Sequence, residues 1–256
     1  MTNSIVCSSN KHIALPCVYR VGVTAPLAWL AAGWRDFRRS GFHSFAFGIV
    51  YAVLGYGLVE LGWSNPRLAM TLTSGFLLVA PFLALVFYDL SRRRSSGGQA
   101  ASVHFAVARE NLVSIGLFAL LLAFVLSAWE RLSAILIGLH FGRVWIPEAS
   151  LAWLFSGENL GFVLNFVALG AVLALFVFAV SAVSLPMLMD RRVDVVTAIA
   201  TSLFAVRVNL LPMLIWGALI VVLAGLGIAT HFVALAVIFP VLGHATWHAY
   251  RGLVTD

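Results

Sequence analysis

Long apolar runs separated by short polar segments dominate this chain. A helix needs about 20 apolar residues, each rising about 1.5 Å, to cross a hydrocarbon core about 30 Å thick. The pattern predicts six spanning helices, over 42–62, 67–88, 111–129, 159–185, 209–229 and 231–249. We expect Pro186 to mark where the fourth helix bends or leaves the bilayer, because proline removes a helical hydrogen bond. The predicted fold class is therefore an all-α polytopic membrane protein.

Amphipathic segments precede the odd-numbered spans. Their apolar stripes are Leu27, Leu30, Trp34 and Phe37 before the first span, and Val196, Ile199, Leu203 and Val206 before the fifth. The shorter "SVHFAVAREN" precedes the third span. These patterns predict three helical hairpins, each preceded by a cytoplasmic helix lying in the membrane interface. We predict a mobile tail over 1–25 and a single membrane domain over 26–254, with a repeat of three units: 26–94, 101–192 and 194–251.

Composition agrees with a lipid environment. Of the 256 residues, 62% are hydrophobic and 10% are charged, more apolar surface than a soluble domain of this length can bury. The net charge of +6 does not indicate nucleic-acid binding, which needs a basic face on a soluble fold. The lipid bilayer is the first partner that the sequence predicts.

The basic residues are distributed unequally between the two predicted faces. One face carries 13 of the 16 lysines and arginines, and the other carries Arg67, Arg131 and Arg143. Under the positive-inside rule this bias puts both termini in the cytoplasm. The loop over 130–158 is then external, and its tryptophans favour a position along the membrane surface. The two cysteines, Cys7 and Cys17, match no zinc or redox spacing, and we interpret them as thiols of the tail.

His244 and His248 are the weak candidates for cofactor binding. A spacing of four residues puts both imidazoles on one helical face, which is half of a metal or haem site. No partner ligand is evident on another span, so the sequence predicts no metal and no cofactor. The favoured interpretation is a polar end of the sixth span, with Trp247 at headgroup depth.

The remaining charged side chains lie near the ends of the predicted spans. No charged residue is predicted inside any span, which argues against a proton- or sodium-coupled pathway. Ion pairs and phosphate contacts explain these residues without catalysis, and we predict no catalytic residue and no enzyme. A second interpretation is docking of a partner at the cytoplasmic face. The residues predicted for that face are Trp34, Arg35, Asp36, Asp89, Arg92, Asp190, Arg191, Arg192, Arg207, Trp247 and Arg251.

Four segments carry a resemblance to a known family. They read "SGFLLVAPFLALVFYDLSRR", "AVSAVSLPMLMDRRVDVVTAIATS", "NLLPMLIWGALIVVLAGLGIAT" and "FPVLGHATWHAYRGLV". Together they resemble the bacterial integral membrane proteins of domain of unknown function family 2189, over roughly residues 26–254. The resemblance implies six spans in a bacterial inner membrane, and it implies no established activity.

Three functions stay open at the level of sequence. The first is a non-enzymatic accessory, structural or assembly subunit that contacts other membrane proteins or a second copy of itself. Glycine-rich stretches such as "GIVYAVLGYGLVELG" favour it, because small residues allow helices to pack closely. The alternatives are a carrier or channel for an uncharged or lipid-like solute, and a haem- or quinone-associated redox subunit that uses His244 and His248.

Overall fold

Helices account for most of the fold. The computed structural model describes residues 4–7, 15–62, 72, 75–76, 80–95, 109–142 and 156–255. The helices are α1 (Ala25–Ser40), α2 (Phe42–Gly62), α3 (Leu85–Ser95), α4 (Leu112–Phe141), α5 (Leu160–Ser181), α6 (Ser184–Asp190), α7 (Val195–Val208), α8 (Leu210–Ala229) and α9 (Leu235–Leu253). Two short strands, β1 (Ile5–Val6) and β2 (Val18–Tyr19), pair antiparallel near the N-terminus.

Four helical segments are long and apolar enough to cross a membrane within the described ranges. They are Phe42–Leu61, Leu112–Phe141, Leu160–Asp190 and Leu210–Ala229, and they correspond to the predicted first, third, fourth and fifth spans. Much of the predicted second span lies outside the described residues, as does most of the predicted interfacial helix of the second repeat unit. The prediction of a loop from residue 130 was wrong, because the third spanning helix continues to Phe141; residues 143–155 of the predicted loop lie outside the described residues. An all-α membrane protein is therefore confirmed, whereas the six-span arrangement stays a prediction.

The fourth spanning segment is interrupted close to its proline. Helix α5 ends at Ser181 and α6 starts at Ser184. Pro186 lacks the N–H that would bond the carbonyl of residue 182, and its ring clashes with that carbonyl. The break therefore lies one helical turn before the proline. Beyond α6, Asp194 caps α7, because its carboxylate accepts a hydrogen bond from the Thr197 N–H at 2.9 Å.

The predicted sixth span is a buried helix of the protein core. Helix α9 packs against α1, α2 and α3, and close backbone approach makes this possible. A Cβ at Gly48 would lie 2.0 Å from the Ala236 carbonyl oxygen, and one at Gly33 would lie 2.6 Å from the Ala245 nitrogen. The ring of Phe239 stacks on Tyr51 at 3.7 Å. Helix α9 is not among the four candidate spans.

The described chain divides into two compact units, Met1–Phe118 with Ala179–Asp256, and Ala119–Phe178. The second unit contains most of α4 and α5. Its two helices meet through aromatic side chains: Trp129 lies 5.2 Å from Phe166, and Phe141 lies 4.8 Å from Phe162, between ring centroids. Because Gly170 has no side chain, the Trp129 ring can lie 3.4 Å from the position that a Cβ of residue 170 would occupy. Every polar cluster described below belongs to the first unit.

The N-terminal segment is joined to the C-terminus and to itself. In the structure Cys7 and Cys17 form a disulfide across the β1–β2 pair, in place of the two thiols of the tail that we expected. Their spacing carries no local signal, because only the strand pairing brings them together. The Thr255 N–H donates to the Cys17 carbonyl at 3.0 Å, and Val18 is fully buried. The second half of the predicted mobile tail is therefore part of this unit.

Candidate functional site

Two polar pairs with a spacing of four residues meet where α1 crosses α9. Asp36 and Ser40 lie on the buried face of α1, and His244 and His248 lie on α9. The Asp36 Oδ2 atom accepts hydrogen bonds from His248 Nε2 at 2.9 Å and from the Ser91 hydroxyl at 2.7 Å. Ser91 belongs to α3, so one carboxylate oxygen joins three helices.

His244 extends this network toward the start of α2. Its Nδ1 lies 2.7 Å from Ser91 Oγ, and its Nε2 lies 3.0 Å from Ser44 Oγ. Because the Ser91 hydroxyl proton is given to Asp36, Ser91 Oγ accepts from His244, which places the imidazole proton on Nδ1. Nε2 then accepts from the Ser44 hydroxyl. A neutral His244 thus satisfies every group, although its side chain is fully buried.

Arg94 closes the network at the end of α1. Its guanidinium donates to the Asp36 carbonyl oxygen at 2.7 Å and to Ser40 Oγ at 2.6 Å. The Ser40 hydroxyl in turn donates to the same Asp36 carbonyl at 2.8 Å. A cation near the last turn of a helix is also favoured by the helix dipole. Arg94 therefore ties the end of α1 to α3.

The charge of Asp36 is held by this environment. Burial of the carboxyl raises its pKa, but the hydrogen bonds from His248 and Ser91 outweigh burial and lower the pKa of Asp36 to about 2. The carboxylate is consequently ionised across the physiological range. A buried charge of this kind is stable only when it is hydrogen-bonded, and Oδ2 of Asp36 accepts two hydrogen bonds.

The geometry of the network limits its chemistry. Ser91 and His244 have no exposed surface, so a substrate could reach neither without opening the helix packing. Both ring nitrogens of His244 are engaged by serine hydroxyls, which leaves no free lone pair for iron. Among the described residues, no group of three His, Cys, Asp or Glu side chains could hold a metal ion. The arrangement can bind and share a proton, and it fixes three helices against one another.

A second polar cluster surrounds Asp190 at the end of α6. Its Oδ1 atom lies 3.1 Å from Arg92 Nε, and its Oδ2 atom accepts from the Tyr250 hydroxyl at 2.8 Å and lies 3.5 Å from Arg251. Arg92 also donates to the Met189 carbonyl. The Arg191 Nε donates to the Tyr250 oxygen at 2.9 Å. The predicted residues Arg92, Asp190, Arg191 and Arg251 are thus brought together.

The other residues predicted for docking are placed differently. Asp89 pairs with Arg93 at 2.6 Å and Arg192 pairs with Glu110 at 2.6 Å. Trp34, Arg35 and Arg207 are exposed. Trp247 is 2% exposed and His244 is fully buried, so neither is the exposed anchor between lipid and water that we expected, whereas their depth in a membrane stays a prediction. Both side chains face neighbouring helices, because α9 lies in the core.

Several residues with polar contacts in the structure were not assigned to any site by the sequence analysis. They are Ser40, Ser44, Ser91, Arg94, Asn111, Asn209 and Tyr250. The two asparagines share a role that their Arg-x-Asn context hints at: each is buried before a long apolar helix. Asn111 donates to the Leu188 carbonyl at 2.7 Å, and Asn209 donates to the Tyr19 carbonyl at 2.9 Å. The serines carry no pattern of their own, since their partners lie far away in the chain.

A family of known proteins matches the central part of the chain. No curated protein matches it, and no solved structure matches it. The matched segment extends from residue 69 to residue 190, so it includes Ser91, Arg92 and Asp190 but neither Asp36 nor the α9 histidines. Over these residues the chain matches the family described as predicted integral membrane protein (DUF2189), which confirms the resemblance for this range, whereas the resemblance beyond it stays a prediction.

Proposed function

We propose that this protein is a non-enzymatic accessory subunit that associates within the membrane with another integral membrane protein or with a second copy of itself. One observation carries the proposal. In the most apolar windows of Leu112–Phe141 and Leu160–Asp190, 17% of the residues are buried. Large side chains such as Leu120, Phe124 and Val172 are exposed on these helices.

The placement of glycines distinguishes a protein contact from simple lipid exposure. Within the described part of the chain, nothing lies within 4 Å of a Cβ built at Gly116, Gly138 or Gly161. Glycine is less favourable than alanine inside a helix, by about 1 kcal/mol. Contact with lipid chains does not offset this cost, because flexible chains pack equally well against either residue. Contact with a second helix does offset it, because the missing side chain lets the two backbones approach closely. These outward-facing glycines therefore support association with another helix.

The location that we propose is a bacterial inner membrane with both termini in the cytoplasm. The proposal depends on the 13 basic residues at one predicted face against three at the other. The buried network contributes in a different way. It fixes α1, α3 and α9 of the first unit against one another. A non-enzymatic role agrees with the complete burial of Ser91 and His244.

Purification in mild detergent at native expression tests the proposal. We expect a stoichiometric membrane partner, or a discrete homo-oligomer, to accompany the tagged chain. Gly116→Leu and Gly161→Leu should abolish the association without lowering the unfolding temperature, because both positions are open in the isolated chain. Leu117→Ile is the matched control, since it changes an exposed neighbour at constant volume, and it should keep the association. Recovery of only the 27.7 kDa monomer, even after cross-linking in native membranes, would exclude this function.

A further inference from the structure

Helices α1 and α7 have the same pattern of exposed and buried positions. At a constant offset of 169 residues, Leu27 corresponds to Val196, Trp34 to Leu203 and Arg38 to Arg207, and all six are exposed. The buried positions correspond at the same offset: Trp29 with Ala198, Gly33 with Ser202, Asp36 with Ala205, and Ser40 with Asn209. At these seven pairs of positions the two helices thus share one pattern of exposure and burial.

The apolar stripes predicted from the sequence lie on the outer side of both helices. Leu27 and Val196 expose 56% and 60% of their surface, and Trp34 and Leu203 expose 45% and 44%. In water such a stripe would be unfavourable. Each helix leads within two residues into a candidate spanning helix, α1 into α2 and α7 into α8. The stripes are therefore adjacent to a membrane boundary.

Each stripe ends in an arginine that has no acidic partner among the described residues. In the part of the chain that the structure describes, Arg38 and Arg207 make no hydrogen bond and no ion pair, and the same holds for Arg35 and Arg39 beside Arg38. Other exposed arginines nearby are paired, for example Arg192 with Glu110. The guanidinium groups of Arg38 and Arg207 are therefore available to bind an anion from outside the chain.

We propose that the outer faces of α1 and α7 are two equivalent binding surfaces for anionic phospholipid. The apolar stripe inserts beside the acyl chains, and Arg38 or Arg207 binds the headgroup phosphate. Arginine presents several donors to phosphate oxygens and is suited to this contact. An acidic protein would satisfy the arginines but would leave Leu27, Trp34, Val196 and Leu203 without an apolar partner. A phospholipid provides acyl chains for the apolar stripe and a phosphate group for the arginine.

Lipid titration of the purified full-length chain tests this assignment. Phosphatidylglycerol or phosphatidylcholine with identical acyl chains is added in mild detergent, and bound lipid is counted by mass spectrometry of the intact protein. We expect the chain to retain phosphatidylglycerol in preference to phosphatidylcholine. Arg38→Gln and Arg207→Gln should each weaken phosphatidylglycerol binding about fivefold, the value for one basic residue at an anionic surface.

Arg93→Gln is the matched control, because it removes the same charge from an exposed arginine that is paired with Asp89 at 2.6 Å. It should leave phosphatidylglycerol retention unchanged. Equal retention of the two lipids by the unmodified chain would overturn the assignment, and so would an equal effect of all three substitutions. Loss of a co-purifying acidic protein in Arg38→Gln, with lipid retention intact, would also overturn it by identifying a protein-docking surface.

Discussion

Asp36 and His248 are separated by 212 positions in the chain, yet their side chains meet at 2.9 Å. The contact joins the last turns of α1 to the end of α9. Because the same Asp36 oxygen also accepts from Ser91, the orientation of α3 depends on it too. This carboxylate therefore determines how three helices of the first unit are held together.

Asp36→Asn should lower the stability of the protein more than any exposed acidic substitution. The variant replaces an ionised acceptor of two hydrogen bonds by a neutral amide, and hydrogen bonds to charged groups contribute about 1.5–3 kcal/mol each. We expect a loss of about 2–3 kcal/mol, or a decrease of roughly 5 °C or more in the unfolding midpoint, measured by tryptophan fluorescence in detergent. Asp194→Asn is the control, because asparagine caps a helix as well as aspartate does. Equal midpoints for the two variants would contradict the role assigned to Asp36.

Acid should remove this stabilisation within a defined window. The pKa of Asp36 falls from 3.8 to about 2 on folding, so the folded state favours the ionised form. Its contribution is then complete above about pH 4 and is lost as the pH falls through about 2. A shift of this size corresponds to roughly 2 kcal/mol. Unfolding curves between pH 6 and pH 2 should therefore converge for the unmodified chain and Asp36→Asn, and a constant difference down to pH 2 would count against the ionised pair.

The sequence predicts the first span and the fourth span break well, but not the polar network. A continuous apolar run over 42–62 is a local signal, and Pro186 acts on a carbonyl four residues away. The network instead depends on Asp36, Ser91 and His244, which only tertiary packing brings together. A usable hint was present, because Asp36–Ser40 and His244–His248 are both polar pairs on one helical face. Since α9 contains two histidines, a tryptophan and an arginine, its pattern also resembles a membrane interface, and burial against α1 could not be distinguished from it.

Gly48→Ala should separate α2 from α9. The new methyl group would lie 2.0 Å from the Ala236 carbonyl oxygen, and a backbone atom cannot move aside as a side chain can. Overpacking of this kind costs about 1–3 kcal/mol or more, so the unfolding midpoint should decrease clearly. Gly57→Ala on the same helix meets no described atom within 4 Å and should leave the midpoint unchanged or raise it, because alanine favours the helix. A neutral result for Gly48→Ala would show that the two helices are less closely packed than described.

The Cys7–Cys17 disulfide and the distribution of arginines indicate different compartments for the N-terminus. Disulfides persist in oxidising compartments, whereas cytoplasmic thiols are kept reduced. Because 13 basic residues lie at the predicted cytoplasmic face, and this bias sets orientation, we expect both thiols to be reduced in living cells and to form the disulfide after lysis in air. Alkylation with a membrane-permeant maleimide before lysis should then add two labels to the chain, and labelling after aerobic purification should add none without a reductant. A Cys7→Ser variant, which can take only one label, calibrates the mass shift. If intact cells yield an unlabelled, oxidised chain, the termini lie outside the cytoplasm, and the cytoplasmic placement of α1 and α7 must be reversed with them.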